Sequence, residues 1–375
     1  MTARPTFTVE YLEPAEPEAE PLPDEFSTSR LKRSLLVLAA IVLAVAAAIV
    51  LVPGLGSLRS RFSGAQPEWL ALAAVLQLGS CAGYVLVFRG VFCRRMSWRT
   101  STEIGLSELA ANSVFSIGGA GGLALGAWIL RRGGLPGSFI ARRTVAFFLL
   151  TSLANVGFLG LGGLALATGV LNGSPGLVFG LLPAVVAVAA VALALGARHL
   201  AGALSRRSMR ARLAAAASAA ADGVDEALRL LRTRDVAIVA GAAAYLLFDV
   251  AMLGVSFAAF GNDVPPAGVL LVAYIVGQLG SLIPIPGGIG GVDAGLIGTL
   301  VLYGVDATDA AVAVIAYRGL LLAIPALLGL PALAILRRRL RAESHDIAAC
   351  APGEAVEVLG RGRVRRPEPG LGPTG

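Results

Sequence analysis

The sequence predicts an all-α integral membrane protein. It comprises six spanning helices and two broken, re-entrant helical hairpins arranged as an inverted repeat, with both termini in the cytoplasm. Three observations carry this expectation. Of the 375 residues, 56% are hydrophobic and only 15% charged, with a mean hydropathy of +0.77, whereas a soluble globular chain carries about 25% charged residues. Apolar runs of about 20 residues recur, the length that crosses a hydrocarbon core of about 30 Å. Two further apolar stretches are interrupted by matching glycine-rich motifs.

Residues 1–29 are rich in Pro and Glu and carry a net charge of −6. They read as a disordered acidic tail rather than a signal peptide, which would begin basic and then turn apolar. Arg30, Lys32 and Arg33 precede the first apolar run, 34–52, which Pro53 ends. The run 69–88 follows and leads to Arg89, Arg94, Arg95 and Arg99, so this loop is expected on the cytoplasmic side. The stretch 103–130 is apolar but broken by Asn112, Ser113, Ser116 and several glycines, and ends at Arg131 and Arg132. A single crossing would put those arginines outside, and the stretch is too short to cross twice. A hairpin that enters and returns meets both constraints, provided protein or water surrounds its non-helical backbone.

The run 144–168 then spans outward, an uncharged loop follows, and 177–197 spans back. Residues 198–235 hold eight arginines and four acids and form a cytoplasmic segment with an Ala-rich helical middle. The run 236–260 spans outward. The stretch 268–304 is again long, apolar and broken, at Pro284 and Pro286, and is either re-entrant or two full spans. The run 307–335 returns to Arg337, Arg338, Arg339 and Arg341. The domain reading is thus a tail (1–29), a transmembrane domain (30–341) and a second disordered tail (342–375).

The two broken segments match each other. Gly118, Gly119, Gly121, Gly122 and Gly126 fit GGxGGxxxG, and so do Gly287, Gly288, Gly290, Gly291 and Gly295, 169 residues later. Three spans separate the motifs, so the second copy is inverted, and broken apolar segments at corresponding positions point to a binding site. The fourfold glycine spacing also suits close helix packing by itself. On the functional reading, the glycines expose backbone amides and half-helix N-termini to an anionic group such as a lipid phosphate.

Ionisable residues inside spans cost about 2.5–3.5 kcal/mol each on insertion scales and are functional candidates. Asp249, Asp293 and Arg318 stand out, with Tyr317 beside Arg318. Arg318 pairs with one of the two aspartates, either to tie helices together or to leave a phosphate contact balanced when the site is empty. Asp249 and Asp293 are also candidates for proton coupling. Asn112 and Gln278 flank the breaks and either cap backbone or line a path. Glu103 and Glu108 are expected at the solvated interface, and Arg142 or Arg143 is the first-half counterpart of Arg318.

Other classes are excluded. Cys81, Cys93 and Cys350 have no CxxC spacing, which argues against a disulfide framework and a zinc site. His199 and His345 lie outside the apolar runs, so no metal is expected. No Walker, GxSxG or HExxH motif is present, no catalytic residues and no cofactor are expected, and the basic charge is read as facing lipid, not nucleic acid.

The stretch from Gly280 through Ala294, with its Pro-Ile-Pro-Gly-Gly-Ile-Gly-Gly-Val-Asp core, followed by Tyr317-Arg318, resembles the signature of the lysylphosphatidylglycerol synthase transmembrane, or flippase-like domain, family. The resemblance extends over 31–340. It implies a membrane half that moves lipids between leaflets. The residues after the last span are too few for a soluble aminoacyl-transferase domain, so lipid aminoacylation is not expected. The family usually has glutamate where Asp293 stands, and often an acid where Leu123, Ala124 and Leu125 stand.

The expected function is therefore binding and translocation of an anionic phospholipid or polyprenyl-phosphate-linked lipid across the plasma membrane. Gly118, Gly119, Gly121, Gly122, Pro284, Pro286, Gly287, Gly288, Gly290, Gly291 and Arg318 would form the site. The alternatives are a membrane-embedded glycosyl or lipid transferase using Asp293, and a non-transporting scaffold for a cell-envelope synthase that docks through 198–235.

Overall fold

A computed structural model describes residues 64–114, 120–169, 181–189, 211–233, 235–282 and 288–350, with a few isolated positions before residue 64. The described residues are helical and contain no strand. This follows from the composition: in lipid, backbone groups find no water, and a helix bonds all of them within one segment.

Nine helices carry the argument: α1 (Pro67–Phe92), α2 (Trp98–Val114), α3 (Ala120–Arg132), α4 (Gly137–Ala167), α5 (Ala211–Arg232), α6 (Val236–Ala258), α7 (Ala267–Gln278), α8 (Gly291–Leu302) and α9 (Ala307–Ala348). Residues 181–189 are also helical. Among the described residues four helices are long and apolar enough to cross a membrane: α1, α4, α6 and residues Ala307–Arg339 of α9. The chain is thus a multi-pass, all-α membrane protein. The expected spans 34–52 and 177–197 fall wholly or mostly outside the described residues.

Helix ends follow local chemistry. Pro67 sits in the first turn of α1, where its missing N–H costs nothing. The Asp235 carboxylate accepts from Ala237 N at 3.0 Å and starts α6. Asp306 accepts from Thr308 N and Asp309 N and starts α9. Two boundaries differ from expectation. Helix α4 begins before Arg142 and Arg143, because Pro136 starts it and both arginines have partners on α5. Helix α9 runs on past the arginines at 337–339 to residue 348, through Pro325 and Pro331.

The spanning helices cross at glycines. On α1, an added Cβ at Gly83 would meet Tyr245 N and Gly241 O of α6 at 2.7 and 2.9 Å. On α9, Gly329 lies directly against Leu106 O of α2. Helix α1 packs on α6, α2 on α9, and α4 on α7. Helix α2 folds against α3, and α7 against α8.

Among the described residues, apolar side chains gather in two large cores and a small third cluster at Ala259, Phe260 and Val312. The first contains Phe88, Ile104, Leu125, Phe147, Ile238 and Leu336; the second contains Ala73, Leu159, Leu253, Leu271, Leu296 and Val314. Helices α1 and α9 run from the second core towards the first, and α4 and α6 run the other way. The arginines whose side chains are described, Arg318 apart, belong to the first-core end.

That end is tied together by long-range contacts. Arg89 donates to Met96 O at 3.1 Å and stacks over Trp98 at 4.4 Å, which folds the loop between α1 and α2. The Asp346 carboxylate accepts from Ser97 N at 3.0 Å and Thr100 Oγ1 at 2.7 Å, so the end of α9 caps α2. Cys93 and Cys350, 257 residues apart, form a disulfide. This corrects the expectation drawn from cysteine spacing: packing of α9 along α2 brings the two thiols together, which no local motif records. If the basic end faces the cytoplasm, the bond lies where thiols are ordinarily kept reduced.

Two outcomes follow from this end of the molecule. Denatured without reductant, the protein takes up one thiol label, at Cys81; after reduction it takes up three, as counted by intact mass. Burial pushes the Asp346 carboxyl up, but the hydrogen bonds from Thr100 and Ser97 outweigh it and leave the group below its ordinary value. A depressed carboxyl stabilises fully above its unfolded value and loses that contribution as pH falls through the folded one. Asp346→Asn therefore lowers the wild-type melting temperature at neutral pH and flattens its decline in acid, measured in detergent.

Candidate functional site

The site is built from the two broken segments. In the first, residues 115–119 lie outside the described residues, so nothing is said of the structure at Gly118 and Gly119. Helix α3 resumes at Ala120, and its early amides need acceptors that lipid does not supply. Asn112, near the end of α2, provides one: its Oδ1 accepts from Gly122 N at 2.7 Å. Of the two readings of Asn112, backbone capping is the one observed.

Gly121 and Gly122 are buried. An added Cβ on Gly122 would run into Glu108 O and lie 2.7 Å from Asn112 Nδ2; one on Gly126 would coincide with the Glu108 carboxyl. The glycine face therefore serves close packing of α3 on α2.

The second segment repeats the device with different residues. Helix α7 ends at Gln278, whose carbonyl accepts from Ser281 Oγ at 2.6 Å, and a short 3₁₀ turn covers Leu279–Leu282. The side chain of Gln278 is half-buried. Residues 283–287 lie outside the described residues, and with them Pro284, Pro286 and Gly287. The chain re-enters at Gly288 and Gly290 with φ of 66° and 89°, left-handed values that favour glycine. Helix α8 then starts at Gly291.

Asp293 closes this turn. Its Oδ2 accepts from Gly290 N at 2.8 Å, and its Oδ1 accepts from Arg318 Nε at 2.8 Å. One carboxylate thus caps α8 and anchors α9. Arg318 is 8% exposed, and its Nη2 lies 3.5 Å from where a Cβ on Gly288 would stand. Gly280 touches the Gly291 carbonyl, and an added Cβ on Gly295 would lie 3.0 Å from Gly277 Cα, so α7 and α8 also close on glycines.

The remaining candidates sit beside these breaks. Arg318 pairs with Asp293 rather than Asp249. Asp249 is 1% exposed on α6 and accepts from the Tyr274 hydroxyl of α7 at 2.9 Å. Tyr317 is wholly buried, and its hydroxyl has no hydrogen-bond partner among the described residues. Arg143 pairs with Glu226 of α5 at 3.1 Å, and Glu226 also accepts from Arg229 at 2.7 Å, so this arginine ties α5 to α4. The buried side of α5 is thereby spent within the chain.

Glu108 overturns its expectation. Far from being solvated, it is 1% exposed and accepts from the Tyr84 hydroxyl at 2.8 Å. Glu103, a turn earlier, pairs with Arg99 at 3.0 Å. The sequence held one signal for Glu108: it lies four residues before Asn112, on the same helix face as the capping side chain. Tyr84 and Tyr274 carried no such signal, since a lone tyrosine in an apolar helix is ordinary.

Removing one partner of a fully buried ion pair strands the other at about 3–5 kcal/mol, and this pair, with Asp293 26% exposed, should lose less than that. Asp293→Ala and Arg318→Ala should each lower stability in a detergent unfolding assay, and the double variant should lose clearly less than their sum. Additive losses would mean that the pair carries no coupling.

No curated relative matches the chain. A family model described as the lysylphosphatidylglycerol synthase TM region matches residues 37–329. With three apolar helices of spanning length inside that match and a fourth that begins within it, the chain belongs to the lysylphosphatidylglycerol synthase transmembrane-region family.

Proposed function

We propose that this protein binds an anionic phospholipid or polyprenyl-phosphate-linked lipid and moves it across the plasma membrane. The observation that carries the reading is Arg318. A guanidinium 8% exposed within a helix of spanning length is costly. It is held by one carboxylate at a broken helix whose turn is stripped of side chains by Gly288 and Gly290. Guanidinium suits a phosphate bidentately, and the N-terminus of α8 adds a partial positive charge. Asp293 balances Arg318 when no lipid is present and yields to the phosphate when one enters. The amides of Gly122 and Gly290 already have acceptors, so the guanidinium rather than the glycine backbone is the principal contact.

The proposed architecture is an inverted repeat of two re-entrant hairpins. It is supported by the helix pairing, which is nearly unchanged when α1 is exchanged with α6, α2 with α7, α3 with α8 and α4 with α9. It is supported too by helix direction. Since α1 runs towards the first core and α4 away from it, the α2–α3 hairpin begins and ends at that side. By the same argument α7–α8 begins and ends at the other. The concentration of arginine at the first-core end supports a cytoplasmic placement of that end, and with it of both termini, by the positive-inside rule. The transmembrane domain then extends past residue 341 to the end of α9, where Ile347 and Cys350 pack on the first core.

Native mass spectrometry of the purified protein tests the binding step. Wild type should retain one anionic lipid class, and Arg318→Ala should retain it about tenfold less, as expected for loss of a charge-assisted hydrogen bond worth ~1.5 kcal/mol. Equal retention of bulk lipid by both proteins would remove the site and favour a scaffold that holds an envelope synthase.

A further inference from the structure

Glu108 and Asp249 are each 1% exposed, and neither forms an ion pair among the described residues. Glu108 stands ten residues into α2, about 15 Å along its axis. Both carboxyl groups are met by a tyrosine hydroxyl, from Tyr84 at 2.8 Å and from Tyr274 at 2.9 Å. Tyr84 and Asp249 occupy α1 and α6, 165 residues apart, and Glu108 and Tyr274 occupy α2 and α7, 166 residues apart. These are the helices that exchange under the proposed repeat. The same pair is built twice, with donor and acceptor swapped between the helices.

We infer that Glu108 and Asp249 are a matched pair of proton-binding sites, one in each half of the molecule, and that both hold a proton in this conformation. A carboxylate buried without a cation beside it is far costlier than the neutral acid. The acid still accepts the tyrosine hydrogen bond through its carbonyl oxygen. Among the described residues no cation stands beside either group. Around Glu108 the titratable neighbour is Tyr84 of α1, while α3 offers Gly122 and Gly126 and α9 packs through Gly329 beside Leu106 and Ala110. Around Asp249 stand Cys81 of α1, Tyr245 of α6, Tyr274 of α7 and Tyr317 of α9.

Glu108 also lies in the seam between the two arms of its hairpin, against Gly126. Parting α2 from α3 admits water, ionises the acid and delivers its proton to that water; closing the arms takes a proton up again. The role of these protons, coupling arm movement to lipid passage, rests on the transport reading above; the protonation itself does not.

Infrared difference spectroscopy on the full-length protein in proteoliposomes tests this. Wild type at neutral pH should show a carboxylic C=O stretch that shifts on deuterium exchange. Glu108→Gln should remove one part of it and Asp249→Asn another. Both variants keep shape and a hydrogen-bond acceptor, and monodisperse elution checks that they fold. Tyr84→Phe leaves Glu108 in place and should move its band to higher wavenumber, because the carbonyl loses its donor. An unchanged band in Glu108→Gln, meaning an ionised Glu108, overturns the assignment. The same vesicles carry acyl-labelled phosphatidylglycerol. Loss of the band in Glu108→Gln with no lipid movement by wild type removes transport and keeps the proton sites. Lipid movement with an unchanged band does the reverse.

Discussion

A helix that starts within packed protein needs acceptors for its first amides, and the rest of this structure depends on how that demand is met. Two side chains meet it. Asn112 reaches from α2 to Gly122 N, and Asp293 turns back from α8 to Gly290 N. One is neutral and sits on the arm before the break; the other is charged and sits on the arm after it. The difference has a consequence. A neutral cap ends its task at the amide, whereas a charged cap needs a cation, and Arg318 of α9 supplies it. The second hairpin is therefore tied to the last spanning helix in a way that the first is not.

Glycine makes this economy of polar groups workable. Gly122 and Gly126 let α3 lie directly on α2, and Gly277, Gly280, Gly291 and Gly295 let α7 lie on α8. Arms packed this closely exclude lipid and water from the groups between them. Packing and function are not rival explanations of the two motifs, because the close approach is what isolates the Glu108 carboxyl and places the Gly288 turn beside the Arg318 guanidinium.

The two halves also spend their charges differently. Arg318 faces inward to Asp293, while Arg143, its expected counterpart, faces Glu226 on α5. In the proposed repeat the halves match in helix order and in their tyrosine–carboxyl pairs but not in their ion pairs. An arginine that holds a peripheral helix in one half is the centre of the candidate site in the other.

Composition and run length alone determined that the chain is helical and crosses a membrane, because backbone hydrogen bonding in lipid admits few other solutions. The paired breaks were also legible, since glycine and proline act on backbone locally, and so were Asp293 and Arg318, whose charge is conspicuous in an apolar run. Tertiary structure alone decided which aspartate meets Arg318, that Glu108 is buried rather than wetted, and that Cys93 meets Cys350. Each of these depends on which helix lies against which. The spacing to Asn112 fixes the helix face of Glu108 but not its burial, which depends on α1 bringing Tyr84 to one side of it and α3 bringing a glycine to the other.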